Sequence, residues 1–370
     1  ADLMEKLAVD AQIERRRAEI AAFNARGATR RRALATAPVM FGISFNMPSL
    51  NQGGALVHVY TDGSIQANHG GTEMGQGLYT KVAQVVAETF GVAVDVVTPT
   101  STRTDKVPNT SATAASSGSD LNGAAARRAA LAIRERMAAV AAQEWGVPVE
   151  TVDFRHGEAA SGNHVIPFPD LARKCWLKRV SLSAAGFYAT PDIHWDAQTL
   201  KGHPFYYFAY GAAAAEVEVD GLTGETRCLR VDVIHDCGDS LNPAIDLGQI
   251  EGGFVQGQGW LTMEELWWDA QGRLRTHAPS TYKIPGSRDV PADFRVHILE
   301  NAPNRMETIF RSKAVGEPPL MLAMSVWLAI RDAVAAFAPQ PPRAVPLDAP
   351  ATPERVLRAV EAVSRAEAPP

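Results

Sequence analysis

Strand-like and helix-like stretches follow one another in this chain without a regular strand–helix–strand alternation, and that irregular order does most to limit its fold. Two tight-turn signals, Thr61-Asp62-Gly63 and Leu222-Thr223-Gly224, each separate a pair of candidate strands. The pairs fall at 55–60 with 64–68 and at 205–220 with 225–234, and a third hairpin is expected about 269–272. Helical spacing covers residues 1 to about 24, 78–90 up to Gly91, and an alanine-rich run over 120–145 up to Gly146. It returns over 243–259 and 318–337, and Thr352 with Pro353 opens a last helix. The mixture predicts an α+β fold, with mixed sheets and packed helices, rather than a doubly wound sheet. Residues 25–38 read as a linker, and 150–185 give no clear pattern.

The 370 residues are 46% hydrophobic, enough for one large core or two smaller ones. A net charge of −5 with no dominant charged block removes the bulk electrostatic case for nucleic-acid binding. The short basic runs at 15–17 and 30–32 read as a solvated helix face or linker. Cys175, Cys228 and Cys237 are scattered and form no CxxC pair, which argues against a zinc knuckle or a four-cysteine iron–sulfur site. Their odd, sparse number suits a reducing compartment, so a cytoplasmic setting is expected. No membrane span and no signal peptide are expected. Ala1 is not methionine and begins a helix already under way, which hints at a piece of a longer protein.

Four segments carry chemistry. Gly70-Gly71-Thr72-Glu73-Met74-Gly75-Gln76-Gly77 precedes a helix; its glycines permit close backbone approach, and the helix start offers free N–H groups for a phosphate. It matches neither GxGxxG nor the P-loop, and a plain strand–helix turn would look the same. Thr113-Ala114-Ala115-Ser116-Ser117-Gly118-Ser119 also precedes a helix and reads either as a second anion cradle or as a serine-rich cap. In Lys313-Ala314-Val315-Gly316-Glu317-Pro318-Pro319, the following proline should hold Glu317 extended. Burial would raise its pKa, while Lys313 and the helix start would lower it, so Glu317 is either a base or a helix cap. Residues 246–259 set three glutamines among glycines, suiting either ligand contact or close helix packing.

Taken together, these segments resemble the molybdenum hydroxylases, and most closely their xanthine dehydrogenase and oxidase branch. The matching strings are FGISF at 41–45, LNQ at 50–52, VHVYTDG at 57–63, GGTEMGQG at 70–77, PNTSATAAS at 108–116, SLNPAID at 240–246, GQIEGGFVQGQG at 248–259, STYKIP at 280–285 and SKAVGEPPL at 312–320. The resemblance implies the C-terminal half of the molybdenum-binding region of such an enzyme, with Met74, Gly75, Gln76, Ser116, Ser117, Gln249, Lys313 and Gly316 contacting molybdopterin and the backbone of Ala115 beside the molybdenum. It implies substrate contacts from Phe45, Asn46 and Ala114, Phe45 meeting a purine ring edge-on. Asn46 falls where the family often has threonine, and Gly118 where a related enzyme has serine. Glu317 matches the general base. The implied reaction converts hypoxanthine to xanthine and xanthine to urate, with water as oxygen source and a Mo=S cofactor.

The resemblance further implies 2Fe-2S clusters and FAD on a partner chain or domain, NAD as acceptor, and a dimerised hetero-oligomer. The upstream half of the molybdenum region, with its own cofactor loop, is not found in these residues, so the chain alone is expected to be inactive. The expected partition is 1–38 as helix and linker, 39–150 plus 312–340 as a cofactor-binding subdomain with the glutamate, 180–311 as a second α+β subdomain, and 341–370 as a C-terminal helix. An aldehyde oxidase or other heterocycle hydroxylase, and a non-catalytic cofactor-binding or assembly subunit, stay open as alternatives.

Overall fold

The computed structural model describes residues 2–27, 29–107 and 110–365. Two helices, α1 (Asp2–Asp10) and α2 (Ile13–Asn24), lead into the long strand β1 (Arg30–Ile43), followed by β2 (Gln52–Val59), β3 (Ile65–His69), α3 (Leu78–Phe90), β4 (Val97–Pro99) and α4 (Gly118–Trp145). Short strands β5 (Asp153–Arg155), β6 (Glu158–Ser161) and β7 (His164–Pro167) precede α5 (Phe168–Leu177) and β8 (Ser183–Ala189). Then come β9 (His194–Asp196), β10 (Lys201–His203), the long pair β11 (Tyr207–Asp220) and β12 (Thr226–Asp236), α6 (Pro243–Thr262), β13 (Asp293–Ile298), α7 (Pro318–Leu322), α8 (Met324–Ala335) and α9 (Pro353–Arg365).

Two cores result. The first is the sheet β4-β3-β2-β8, with α3, α4 and α5 packed on it. Alanine on α4 permits close approach, and Gly186 of β8 is required there because a Cβ would run into the Ala125 carbonyl oxygen. The second is the sheet β1-β11-β12-β13. Side chains alternate across β11, so Ala213, Ala215 and Val217 face α8 and α6, while Ala212 and Ala214 face α1 and α2.

Several expectations change. The linker of 25–38 is mostly strand: β1 pairs antiparallel with β11 along its whole length. Arg30 and Arg32 bridge to Glu218 on that neighbour at 3.2 and 2.8 Å, and Pro38 is tolerated because β1 is an edge. In the basic run at 15–17, Arg16 is buried between Glu216 at 2.9 Å and Asp232 at 2.8 Å. The first helix breaks at Gln12, whose φ is 54°. About 269–272 only a single bridge, Trp268 to Leu274, forms. Helices α7 and α8 pack on the second core rather than with 39–150, because their apolar face meets β1 and β11. The stretch Pro318–Ala335 is long and apolar enough to cross a membrane by length and composition alone, against the reading that no run is, but 56% of it is buried, as in a core helix. All three cysteines are free, and burial pushes their thiols up to about 11 for Cys175 and about 12 for Cys228 and Cys237, which makes them inert.

Candidate active site

The two cores meet at a cavity of about 260 Å³. Met74, Gln76, Ala114, Ser116, Gln249, Lys313, Gly316 and Glu317, all singled out in the sequence, line it. Gly75, Ala115 and Ser117 sit in the same loops just behind that lining. Phe45 and Asn46 lie outside it, in the turn after β1, where Asn51 clamps Phe45 through both backbone groups at 2.7 and 2.9 Å. Pro108 and Asn109 of the 108–116 string fall outside the described residues.

The two small-residue loops are not equivalent. Glu73 folds its carboxylate back over the start of α3 and accepts N–H groups from Gly75, Gly77 and Tyr79 at 2.9, 3.0 and 2.9 Å. Those backbone bonds outweigh the cost of burial and hold its pKa below the usual range. The free helix start expected there is therefore occupied by the chain's own carboxylate. The start of α4 is open: Ser117 makes no side-chain cap, and the N–H groups of Gly118, Ser119 and Asp120 have no acceptor among the described residues. Twenty-eight residues of aligned peptide dipole point at the cavity from that end.

Glu317 differs from expectation in two ways. Its backbone is helical, φ −93° and ψ −38°, because its carbonyl accepts the Leu320 N–H in the first turn of α7, which outweighs the preference set by Pro318. It does not cap α7. Burial raises its pKa, opposed by a hydrogen bond from the Ala115 backbone rather than by Lys313. Lys313 is neutralised by Asp236 at 2.6 Å. The loop holding the base is fastened from across the cavity, where Ser116 Oγ accepts the Glu317 N–H at 2.7 Å.

Lys81 and Asp120, also in the lining, lie outside every motif, whereas Asp246 ends the SLNPAID string. Lys81 of α3 forms a buried ion pair with Asp246 of α6, which also accepts the Ser240 hydroxyl at 2.5 Å. Asp120 accepts the Tyr207 hydroxyl at 2.7 Å, and burial raises its pKa to about 7. Only the helical spacing of 78–90 and 120–145 could have hinted that Lys81 and Asp120 face inward. The glutamine-rich helix serves two ends: Gly257 and Gly253 let α6 lie against α7, while Gln249 turns its amide to the cavity with no partner among the described residues.

Each lysine spends one N–H on its carboxylate, and the donors with no acceptor among the described residues include the α4 backbone start, the Gln249 amide and the Ser119 hydroxyl. That set suits a polar, anionic, multidentate group. Among the described residues, no three His, Cys, Asp or Glu side chains gather as a metal ligand set.

Residues 6–291 match the model of the molybdopterin cofactor-binding domain, and the chain belongs to that family. Within it, the chain corresponds to part of the molybdenum-binding region of the molybdenum hydroxylases. It is 45% identical over 348 residues to xanthine dehydrogenase/oxidase of Rattus norvegicus, covering 93% of this chain and 25% of the relative. It is 46% identical over 364 residues to xanthine dehydrogenase of Oryza sativa subsp. japonica, covering 96% and 25%. The chain thus spans about a quarter of the length of these curated relatives. Among solved structures, the Cu,Mo-CO dehydrogenase superposes with a TM-score of 0.84 at 20% identity, covering 98% of this chain and 46% of that one, which shows the shared fold. Quinoline 2-oxidoreductase from Pseudomonas putida 86 gives 0.81 at 25% identity, covering 97% and 45%.

Proposed function

We propose that this chain is the molybdenum-cofactor part of a xanthine dehydrogenase, hydroxylating hypoxanthine to xanthine and xanthine to urate with oxygen from water. One observation carries the reading: Glu317, a carboxyl at the cavity mouth whose pKa is raised by partial desolvation, lines a cavity edged by the open start of α4 and the free amide of Gln249. When bound, the molybdenum cofactor supplies a Lewis-acidic, two-electron redox centre in sulfurated form. Met74, Gly75, Gln76, Ala115, Ser116, Ser117, Gln249, Lys313 and Gly316 would hold that group, Ala115 through its backbone. Ala114 would form the substrate side of the cavity, with Phe45 and Asn46 meeting the substrate from outside the lining.

Replacing a purine C–H by C–OH with water releases two electrons and two protons. Glu317 accepts one proton at its carboxylate, a role suited to a base whose pKa has been raised towards neutrality. The electrons pass to 2Fe-2S clusters, FAD and NAD on companion chains or domains of a hetero-oligomer, in the cytoplasm. The high identity to xanthine dehydrogenases supports purine over aldehyde.

The test uses the full-length protein with its companions: molybdenum content, the mass of each co-purifying chain, and turnover of xanthine against an aldehyde. Glu317→Gln should keep its molybdenum and lose roughly a thousandfold in kcat. In the wild type, the rate should fall on the acid side as Glu317 protonates, at a pH above the ordinary glutamate range. Unchanged turnover in Glu317→Ala would favour a non-catalytic cofactor-binding role, and preference for the aldehyde would move the chain to a different branch.

A further inference from the structure

A second cavity, of about 410 Å³, opens beside the first between α4, β8 and the loop at 307–311. Asp120 is the one described residue that lines both. Its side chain forms part of the wall between them, and on the second side its neighbours include Arg127, Tyr188, Glu307 and Arg311. The Tyr207 hydroxyl donates to Asp120 Oδ2 at 2.7 Å and accepts the Ala314 N–H at 2.9 Å, three residues before Glu317. The other carboxyl oxygen, Oδ1, has no protein partner among the described residues.

We propose that Asp120, held by Tyr207, is the outlet for the proton that Glu317 takes up, passing it from the inner cavity to the outer one. This rests on Glu317 being the base. The proton balance is simple. The Glu317 O–H bond breaks, the proton crosses cavity water to the Asp120 carboxylate, and the new Asp120 O–H then releases it to water in the outer cavity. No electrons move in this step. Both carboxyls line the same inner cavity.

The electrostatic setting fits a carrier. Burial pushes the Asp120 carboxyl up to about 7, with the Tyr207 hydrogen bond and the Lys81 charge as weaker opposing influences. Such a group gains and loses a proton readily near neutral pH. On the inner side it faces Lys81, Asp246, Lys313 and Glu317, the lysines held by Asp246 and Asp236. On the outer side, Arg127 and Arg128 lie over the Phe310 and Tyr188 rings, and Arg311 is bound to the carbonyls of Asn304, Arg305 and Met306. Tyr188 and Tyr206 feel the Asp120 charge, and both have pKa values raised chiefly by their own burial. Among the described residues no lysine, arginine or histidine forms an ion pair with the carboxyl, so only the Tyr207 hydrogen bond and the more distant Lys81 charge favour its ionised state.

The test compares Asp120→Asn, Asp120→Glu and Glu317→Gln in the full-length cofactor-loaded protein, with molybdenum content as the folding control. Infrared spectroscopy should show a protonated-carboxyl band that disappears as pH rises through about 7, in wild type and Glu317→Gln but not in Asp120→Asn. Asp120→Asn should lose about tenfold in kcat with KM unchanged, together with the limb of the pH profile near neutrality, and Asp120→Glu should recover most of the rate. A uniform loss with an unaltered pH profile would make Asp120 a mere strut and overturn the proposal, as would a titrating band that survives in Asp120→Asn. Full activity in Glu317→Gln sinks the parent reading instead, whereas a dead Glu317→Gln beside a fully active Asp120→Asn sinks only the outlet.

Discussion

His235 is fully buried on β12, and neither of its ring nitrogens has a partner among the described residues. Burial lowers its pKa to about 4, with Asp236 and Asp246 opposing. A histidine depressed in this way supports stability above its unfolded value of about 6.5, and that support drains away as pH falls toward 4. His235→Leu is therefore expected to be neutral or stabilising by about 1 kcal/mol at pH 7, because it removes an unsatisfied donor. The variant should also outlast the wild type increasingly between pH 6.5 and 4. Urea midpoints across that range check both parts; a Leu variant weaker at every pH would show that the imidazole makes bonds through water. Glu317 teaches a related lesson: the residue before a proline was expected to be extended, yet its turn bond to Leu320 decides its backbone.

At the scale of elements, the loop before α3 keeps its shape because one side chain answers its exposed backbone donors. Glu73→Ala should leave Gly75, Gly77 and Tyr79 without their acceptor, costing about 1–3 kcal/mol. Amide exchange at those three positions should speed up while α4 stays protected, and cofactor retention should fall. Unchanged exchange would mean the glycines alone hold the bend. The glutamate was legible in GGTEMGQG as a residue but not as a cap, since a carboxylate reaching forward over six residues leaves no periodic trace. Strand β1 was missed for a comparable reason: alanine and arginine are poor strand formers, and Glu218 and Asp220, which pair with its arginines, lie almost two hundred residues later.

For the whole molecule, the site is the joint between two cores. Ser116 to Glu317, Asp120 to Tyr207 and Lys81 to Asp246 all cross that joint. Breaking a buried pair by removing one partner strands the other charge, so Lys81→Met should cost about 3–5 kcal/mol and release the cofactor while each core keeps its own helices and strands. Calorimetry that resolves one transition into two would show the uncoupling; a single transition at the wild-type temperature would refute it.

From the residues alone, the hairpins at 61–63 and 222–224, the helices closed by Gly91 and Gly146, and the small-residue loops with Glu317 were all readable, because turn chemistry, helix period and glycine spacing are local properties of the chain. Tertiary structure alone decided that β1 is a strand, which helix start stays open to a ligand, and that Lys81, Asp120 and Asp246 meet at the same cavity with Tyr207 bonded to Asp120. Those outcomes depend on partners distant in sequence, whose burial and pairing exist only once the two cores have come together.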